Sequence, residues 1–282
     1  MQEIKLIVTD LDGTFLTHAP GHAMEDNIRV MREVQRRGIR VFPCTGRSWA
    51  QSAEHVLRYG FDNLCVVNNG ASLVEIDSGA LRYRNRVAPE LVQPLLQLGE
   101  RYEDREILTQ VSCHSFIGFL EPKEAMTRER LIARYGPQLS KENKLVMFRT
   151  VEEMCEATSD EAELVRYIAE PDHVPQQMLD ELNAMQQVEV TWSYRLHLDV
   201  MAKGANKGSL IPLLADMCGA GVENVMALGD QDNDAPMLEI AGFGVAMGGA
   251  SGKAKAAADF ISDAVEDSGF AKALERFVLD RR

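Results

Sequence analysis

Two acidic clusters, Asp10-Leu11-Asp12-Gly13-Thr14 and Gly229-Asp230-Gln231-Asp232-Asn233-Asp234, stand near opposite ends of the chain, and each follows directly on an apolar run of strand type. Residues two apart on an extended chain project to the same side, so Asp10 and Asp12 can face one ligand while Gly13 lets the backbone turn away. Either cluster alone reads equally well as a turn, since Asp and Gly are common turn formers. Their conjunction says more, because ligands of open α/β sheets collect at the carboxyl ends of parallel strands. So many carboxylates in one pocket would repel one another without a divalent cation between them, and an oxygen-only ligand set suits magnesium.

The segments between the clusters alternate strand and helix. Strand Leu6 to Thr9 precedes a helix from about Asp26 to Arg37, which Gly38 is placed to stop, and Ile39 to Pro43 forms the next strand. Ser48-Trp49-Ala50-Gln51 has the spacing of a capping box and predicts a helix ending by Gly60. Leu64 to Val67 is a third strand, and the texture then changes to a hairpin, Ala71 to Glu75 with Leu81 to Arg84. The middle third predicts helices near Pro89 to Glu103, Glu124 to Tyr135 and Val174 to Met185. Its expected strands lie near Ile107 to Val111, Ser115 to Leu120, Leu164 to Ile168 and Val188 to Trp192. From Lys207 the alternation resumes, with a helix to Cys218, a strand Val225 to Leu228, a helix after Pro236, strands around Gly244 to Ala246 and Phe260, and a last helix from Phe270 to Val278.

Two further candidates close the constellation. Thr45, ending the second strand, can offer a hydroxyl and Gly46 an unobstructed N–H to a phosphoryl oxygen. Lys207, read as the start of a helix, opposes the helix dipole unless a phosphate or a carboxylate lies beside it. Far more chain separates Thr45 from Lys207 than the roughly thirty residues that close a βαβ unit, so something domain-sized is inserted. The expected fold is α/β: a Rossmann-like parallel-sheet core from residues 1–84 and 196–282, with a smaller α/β cap from 85–195.

Composition narrows the partners. A formal net charge of −13 opposes nucleic acid and anionic membrane surfaces. No uncharged apolar stretch approaches the ~20 residues of a membrane span, and the charged opening residues do not read as a signal peptide. Five scattered cysteines suit reduced thiols, hence a cytoplasmic setting. The six histidines show no metal-ligand spacing and read as surface or packing residues. Gly242 to Gly248 and Gly252-Lys253-Ala254 only imitate nucleotide-binding loops. Oligomeric state stays open.

The four elements in this order, Asp10-Leu11-Asp12-Gly13-Thr14, Thr45-Gly46-Arg47, Lys207-Gly208 and Gly229-Asp230-x-x-Asn233-Asp234, resemble the haloacid dehalogenase-like hydrolase superfamily and, within it, the Cof-type sugar-phosphatase subgroup. Asn69-Gly70-Ala71 and Gly244-Val245-Ala246-Met247-Gly248 extend the likeness, although Gly249 stands where the subgroup has Asn. Residues from roughly 85 to 195 match nothing, as expected of a variable cap. The resemblance implies a phosphatase of small phosphorylated metabolites, sugar phosphates first, with Asp10 as nucleophile and Asp12 as acid and then base. It implies Mg2+ held by Asp10, the Asp12 main-chain carbonyl and Asp230, with Asp234 and Asn233 steadying the shell. Thr45, Gly46, Arg47, Lys207 and Asn233 would face the substrate. Arg166, Tyr194, Arg195 and His197 can face the cleft, with exposed surface as their default. A sugar phosphomutase and, from another class, a phospho-accepting signalling module are the alternatives.

Overall fold

The computed structural model describes residues 2–18, 22–121 and 144–280 of the 282-residue chain. Strands β1 (Leu6–Thr9) and β2 (Arg40–Pro43) run parallel, with Thr9 level with Pro43, and a helix over Glu25–Arg36 crosses between them. A second helix, Trp49–Tyr59, leads to β3 (Cys65–Val67), which with β4 (Ser72–Val74) and β5 (Leu81–Arg84) forms a three-stranded antiparallel sheet. A parallel bridge between Cys44 and Val66 joins that sheet to the edge of β2. The chain then builds β6 (Leu108–Ser112), β7 (Phe116–Leu120), β8 (Lys144–Phe148), β9 (Leu164–Ile168), β10 (Val188–Tyr194) and β11 (His197–Ala202) before it returns through β12 (Val225–Gly229), β13 (Phe243–Ala246) and β14 (Phe260–Ile261).

The first sheet has the order β14-β13-β12-β1-β2, all parallel. β1 is an uninterrupted apolar run because both its faces are covered. Ile7 packs with Met31, Val34 and Val56 from one helical layer. Leu6 and Val8 pack with Ile211, Leu214 and Leu238 from the other. Since β1 lies between β12 and β2, the ends of these three strands meet at one edge, and Asp10, Cys44 and Asp230 are the residues just beyond them. The second sheet, β10-β11-β9-β6-β7-β8, is largely antiparallel and carries its own core around Val165, Tyr167, Leu198 and Val200.

Several expectations shift. Gln51 does reach back to the Ser48 backbone N–H, at 3.3 Å, so the helix starts where its capping pattern put it. Lys207, by contrast, does not open a helix. It sits in a turn four residues ahead of the helix Ile211–Met217, which Pro212 helps to begin. The helix Val151–Thr158 and strands β8 and β11 were not foreseen. Because β11 pairs with β9 and β10, the second sheet runs to Ala202 and past residue 195. The helix expected over Glu124 to Tyr135 lies outside the described residues. The last helix, Gly269–Leu274, widens into a π-helical turn over Glu275–Leu279.

Candidate active site

Asp10 leaves β1 buried, 4% exposed, and Asp230 and Asp234 leave β12 equally buried. One carboxylate oxygen from each lies within 4.8 Å of the others. The register explains the meeting: Thr9 pairs with Leu228 on the neighbouring parallel strand, so both chains pass into loops at the same height. Lys207, 2% exposed, points its Nζ between two members of this group, donating to Asp10 Oδ1 at 2.5 Å and Asp234 Oδ1 at 2.6 Å. A carboxylate beside the lysine is thus the partner that its charge required. Asp234 also ties the loop to itself, its Oδ2 accepting from the Asp230 and Gln231 backbone N–H groups at 2.7 and 2.8 Å. Asp230 accepts from the Thr14 hydroxyl at 3.1 Å and from Gln231 Nε2 at 2.6 Å.

Three carboxylates around one ammonium leave the cluster overcharged. Burial, and then Asp234, push Asp230 up to about 6. Burial also drives Asp10 well above the ordinary carboxylate range; Lys207 opposes this, and Asp234, Asp230 and Asp12 add to it. For Lys207 burial favours the neutral amine, but Asp10 and Asp234 outweigh it and keep the group firmly protonated. The donors are oxygen only, and the buried Oδ1 of Asn233, in the same loop as Asp230 and Asp234, has no hydrogen-bond partner. A hard divalent cation fits this set.

Asp12 is arranged differently. Its carboxylate is not among the three that converge; Arg47 grips it in a fork, Nε to Oδ2 at 2.7 Å and Nη2 to Oδ1 at 2.5 Å. Burial raises its pKa, yet the charge and hydrogen bonds of Arg47 prevail and hold it below the usual value. Thr45 Oγ1 accepts from the Arg47 backbone N–H at 3.1 Å, closing a tight loop around Gly46.

Asp10, Asp12, Thr45, Gly46, Arg47, Lys207 and Asn233 all line one cavity of about 230 Å3. The structure therefore brings every residue expected toward the substrate to one place. Asp230 and Asp234 do not line the cavity themselves; they converge on Asp10, which does. From the second sheet come Arg166, Ser193, Tyr194 and His197. Arg166 is 4% exposed, against the surface expected for it, whereas Arg195 is exposed and pairs with Glu170. His18 also lines the cavity, 3.6 Å from Asp230 Oδ2, while staying exposed as the sequence suggested. Its spacing fits no metal motif, so only the fold could find it. Cys44 is buried, its thiol pushed well up by burial, and is no nucleophile. Among the described residues no helix is long and apolar enough to cross a membrane.

Known proteins resemble this chain over nearly its whole length. The 5-amino-6-(5-phospho-D-ribitylamino)uracil phosphatase YcsE of Bacillus subtilis is 26% identical over 277 residues, 98% of this chain and 97% of that protein. A phosphoglycolate phosphatase of Methanopyrus kandleri is 26% identical over 274 residues, 97% of each. Among solved structures, the phosphatase BT1666 of Bacteroides thetaiotaomicron superposes with a TM-score of 0.78 at 25% identity, covering 98% of this chain and 95% of that one. The sugar phosphatase BT4131 shares the fold with a TM-score of 0.80 at 22% identity, covering 97% and 98%. The family model for haloacid dehalogenase-like hydrolases matches residues 7–274, and the chain belongs to that family, in its Cof-type branch.

Proposed function

We propose that the protein is a magnesium-dependent phosphatase of small phosphorylated metabolites, sugar phosphates first among them, acting through an aspartyl-phosphate on Asp10. The observation that carries this reading is the buried group of Asp10, Asp230 and Asp234 with Lys207 as its one ammonium. Asp10, Asp230, Asp234 and the Asp12 main-chain carbonyl would hold the ion. Bound there, it supplies the positive charge that lets a phosphate dianion approach carboxylates.

Asp10 attacks phosphorus through a carboxylate oxygen, forming the acyl phosphate as the bond to the leaving alcohol breaks. Lys207, already in contact with Asp10, and the Thr45 hydroxyl hold the non-bridging oxygens. Asp12 protonates the leaving oxygen and later takes a proton from the water that releases phosphate. Its present pairing with Arg47 favours the carboxylate, so protonation of Asp12 requires Arg47 to turn away, and a phosphoryl group is a fitting new partner for that planar fork.

The cavity is smaller than the roughly 300–1,000 Å3 usual for drug-sized ligands, which supports compact monoesters. YcsE and the Methanopyrus enzyme both act on small phosphorylated molecules. In this reading residues 1–84 and the C-terminal strands form the catalytic unit, and the segment from 85 forms a cap ending at Ala202. Free cysteines support a cytosolic setting. The test is a panel of phosphorylated metabolites assayed for free phosphate with magnesium and with chelator. Release that depends on magnesium is expected; a phosphoryl group moved within the sugar, or activity indifferent to chelation, would overturn the reading.

A further inference from the structure

Asn68 and Asn69 both adopt the left-handed backbone region, at φ 49° and 54°, which asparagine tolerates better than most residues but which is unusual twice in succession. Each sends its side-chain amide to a fully buried carboxylate of the second sheet region. Asn68 Nδ2 donates to Glu163 at 2.6 Å, and Asn69 Nδ2 donates to Asp199 Oδ2 at 2.8 Å.

The Asn69 contact belongs to a longer chain. Asn69 Oδ1 accepts from Asn233 Nδ2 at 2.8 Å, in the loop that carries Asp230 and Asp234. Asp199 is gripped by Arg166 through two bonds, Nε to Oδ1 at 2.5 Å and Nη2 to Oδ2 at 2.8 Å. That same Nη2 donates to the Gly46 carbonyl at 3.0 Å. Gly46 is boxed by the chain as well: a Cβ there would stand 2.9 Å from Asn69 Oδ1 and 3.4 Å from Asn233 Nδ2 and Ser193 Cβ. An unbroken run of buried polar groups thus leads from the Asp230 loop, through two strands of the second sheet, to the loop that holds Thr45 and Arg47.

We propose that Asn69, Asp199 and Arg166 are positioning residues that lock the Thr45–Arg47 loop and the Asp230–Asp234 loop to the second sheet, so that placement of that sheet sets the geometry of both loops. Arginine suits the junction because its fork can hold a carboxylate on one edge and still reach a carbonyl. A lysine keeps the charge opposite Asp199 but cannot make all three contacts. Within the relay the Asn69 amide, the Asp199 carboxylate and the Arg166 fork all find partners, which is what lets a buried network specify geometry.

The kinetic arm of the test rests on the phosphatase reading; the exchange arm does not. Arg166→Lys is expected to melt near the wild-type temperature and to lose roughly 10- to 100-fold in kcat on p-nitrophenyl phosphate, with KM within about twofold, because small misplacements of binding groups act mainly on the transition state. Amide hydrogen exchange should accelerate in peptides covering 45–47 and 230–234. Asn69→Gly, which keeps the left-handed backbone and deletes the amide, should give the same pattern and serves if Arg166→Lys does not fold. Unchanged kcat with unchanged exchange overturns the proposal. So does a rise in KM with kcat intact, which would make Arg166 a substrate ligand, or a kcat loss matched by loss of folded protein. If wild-type protein hydrolyses no phosphate monoester, the phosphatase reading fails, and exchange alone decides the relay.

Discussion

Two buried ionic clusters lie at the meeting of the sheets, and they are built on opposite accounts of charge. Around Asp10, three carboxylates share the single ammonium of Lys207. Around Asp199, one carboxylate meets one guanidinium, and the surrounding amide of Asn69 completes the shell. Burial penalises charge in both places. The second cluster answers that penalty within itself, so its natural role is to hold strands β9 and β11 in place. The first leaves its excess negative charge standing: burial above all displaces Asp10 and Asp230 upward, and the neighbouring carboxylates add to it. A protein retains such an imbalance where something positive arrives, and the contrast separates what is scaffold from what is site.

The same isosteric change made in each cluster tests this contrast. Asp10→Asn should reduce turnover on the order of 10^4-fold or more, since the amide cannot attack phosphorus. Without divalent cations the variant should nonetheless melt higher than wild type at neutral pH. A folded-state pKa raised above 3.8 means that the carboxyl contributes fully below that value and loses the contribution as pH rises through its raised value. With magnesium present the order should reverse, because the wild type alone has its full ligand set. Asp199→Asn should lower stability with or without magnesium, by about 3–5 kcal/mol, as expected when one partner of a buried pair is removed. Denaturant melts of both variants, with magnesium and with chelator, give the comparison. Stability shifts of the same sign in chelator would erase the distinction.

The sequence made the first cluster legible and hid the second. Asp10 and Asp230 announce themselves because each follows an apolar strand in a short local pattern, and Lys207 carries a charge unusual for a helix start. Parallel pairing of β1 with β12 then does what the motifs required. The second cluster is long-range in every contact. Asp199 sits in a strand that the sequence did not reveal, because the turn before it, Arg195 and Leu196, has none of the Gly, Asn or Pro that mark a hairpin. Missing that turn also placed the return to the core before β11. Arg166, read alone, is an exposed strand residue; only the pairing of β9 with β11 at Arg166 and Asp199 buries it. Lys207 was right in its contact and wrong in its setting, since Gly208 and Ser209 turn the chain before the helix starts.

Glu163 offers the finest division between the two kinds of cluster. It is fully buried just before β9, takes a hydrogen bond from Asn68 and pairs with Arg84 at 3.2 Å, so by count of partners it belongs with Asp199. Burial nevertheless lifts its pKa above the ordinary value of 4.5, with Asn68, Arg84, Ser72 and His114 pulling the other way. The sign follows: its contribution is complete below 4.5 and is lost as pH climbs through the raised value, so the ionised form weighs against folding at neutral pH. Glu163→Gln keeps the shape and the acceptor for Asn68 and removes that titration. Thermal melts from pH 4 to 8 should show a flatter profile than wild type, with the two proteins alike at pH 4 and the variant equal or slightly higher at pH 7. A variant that melts clearly lower at pH 7 would mean that Arg84 does for Glu163 what Arg166 does for Asp199, and the balanced class would then hold two pairs instead of one.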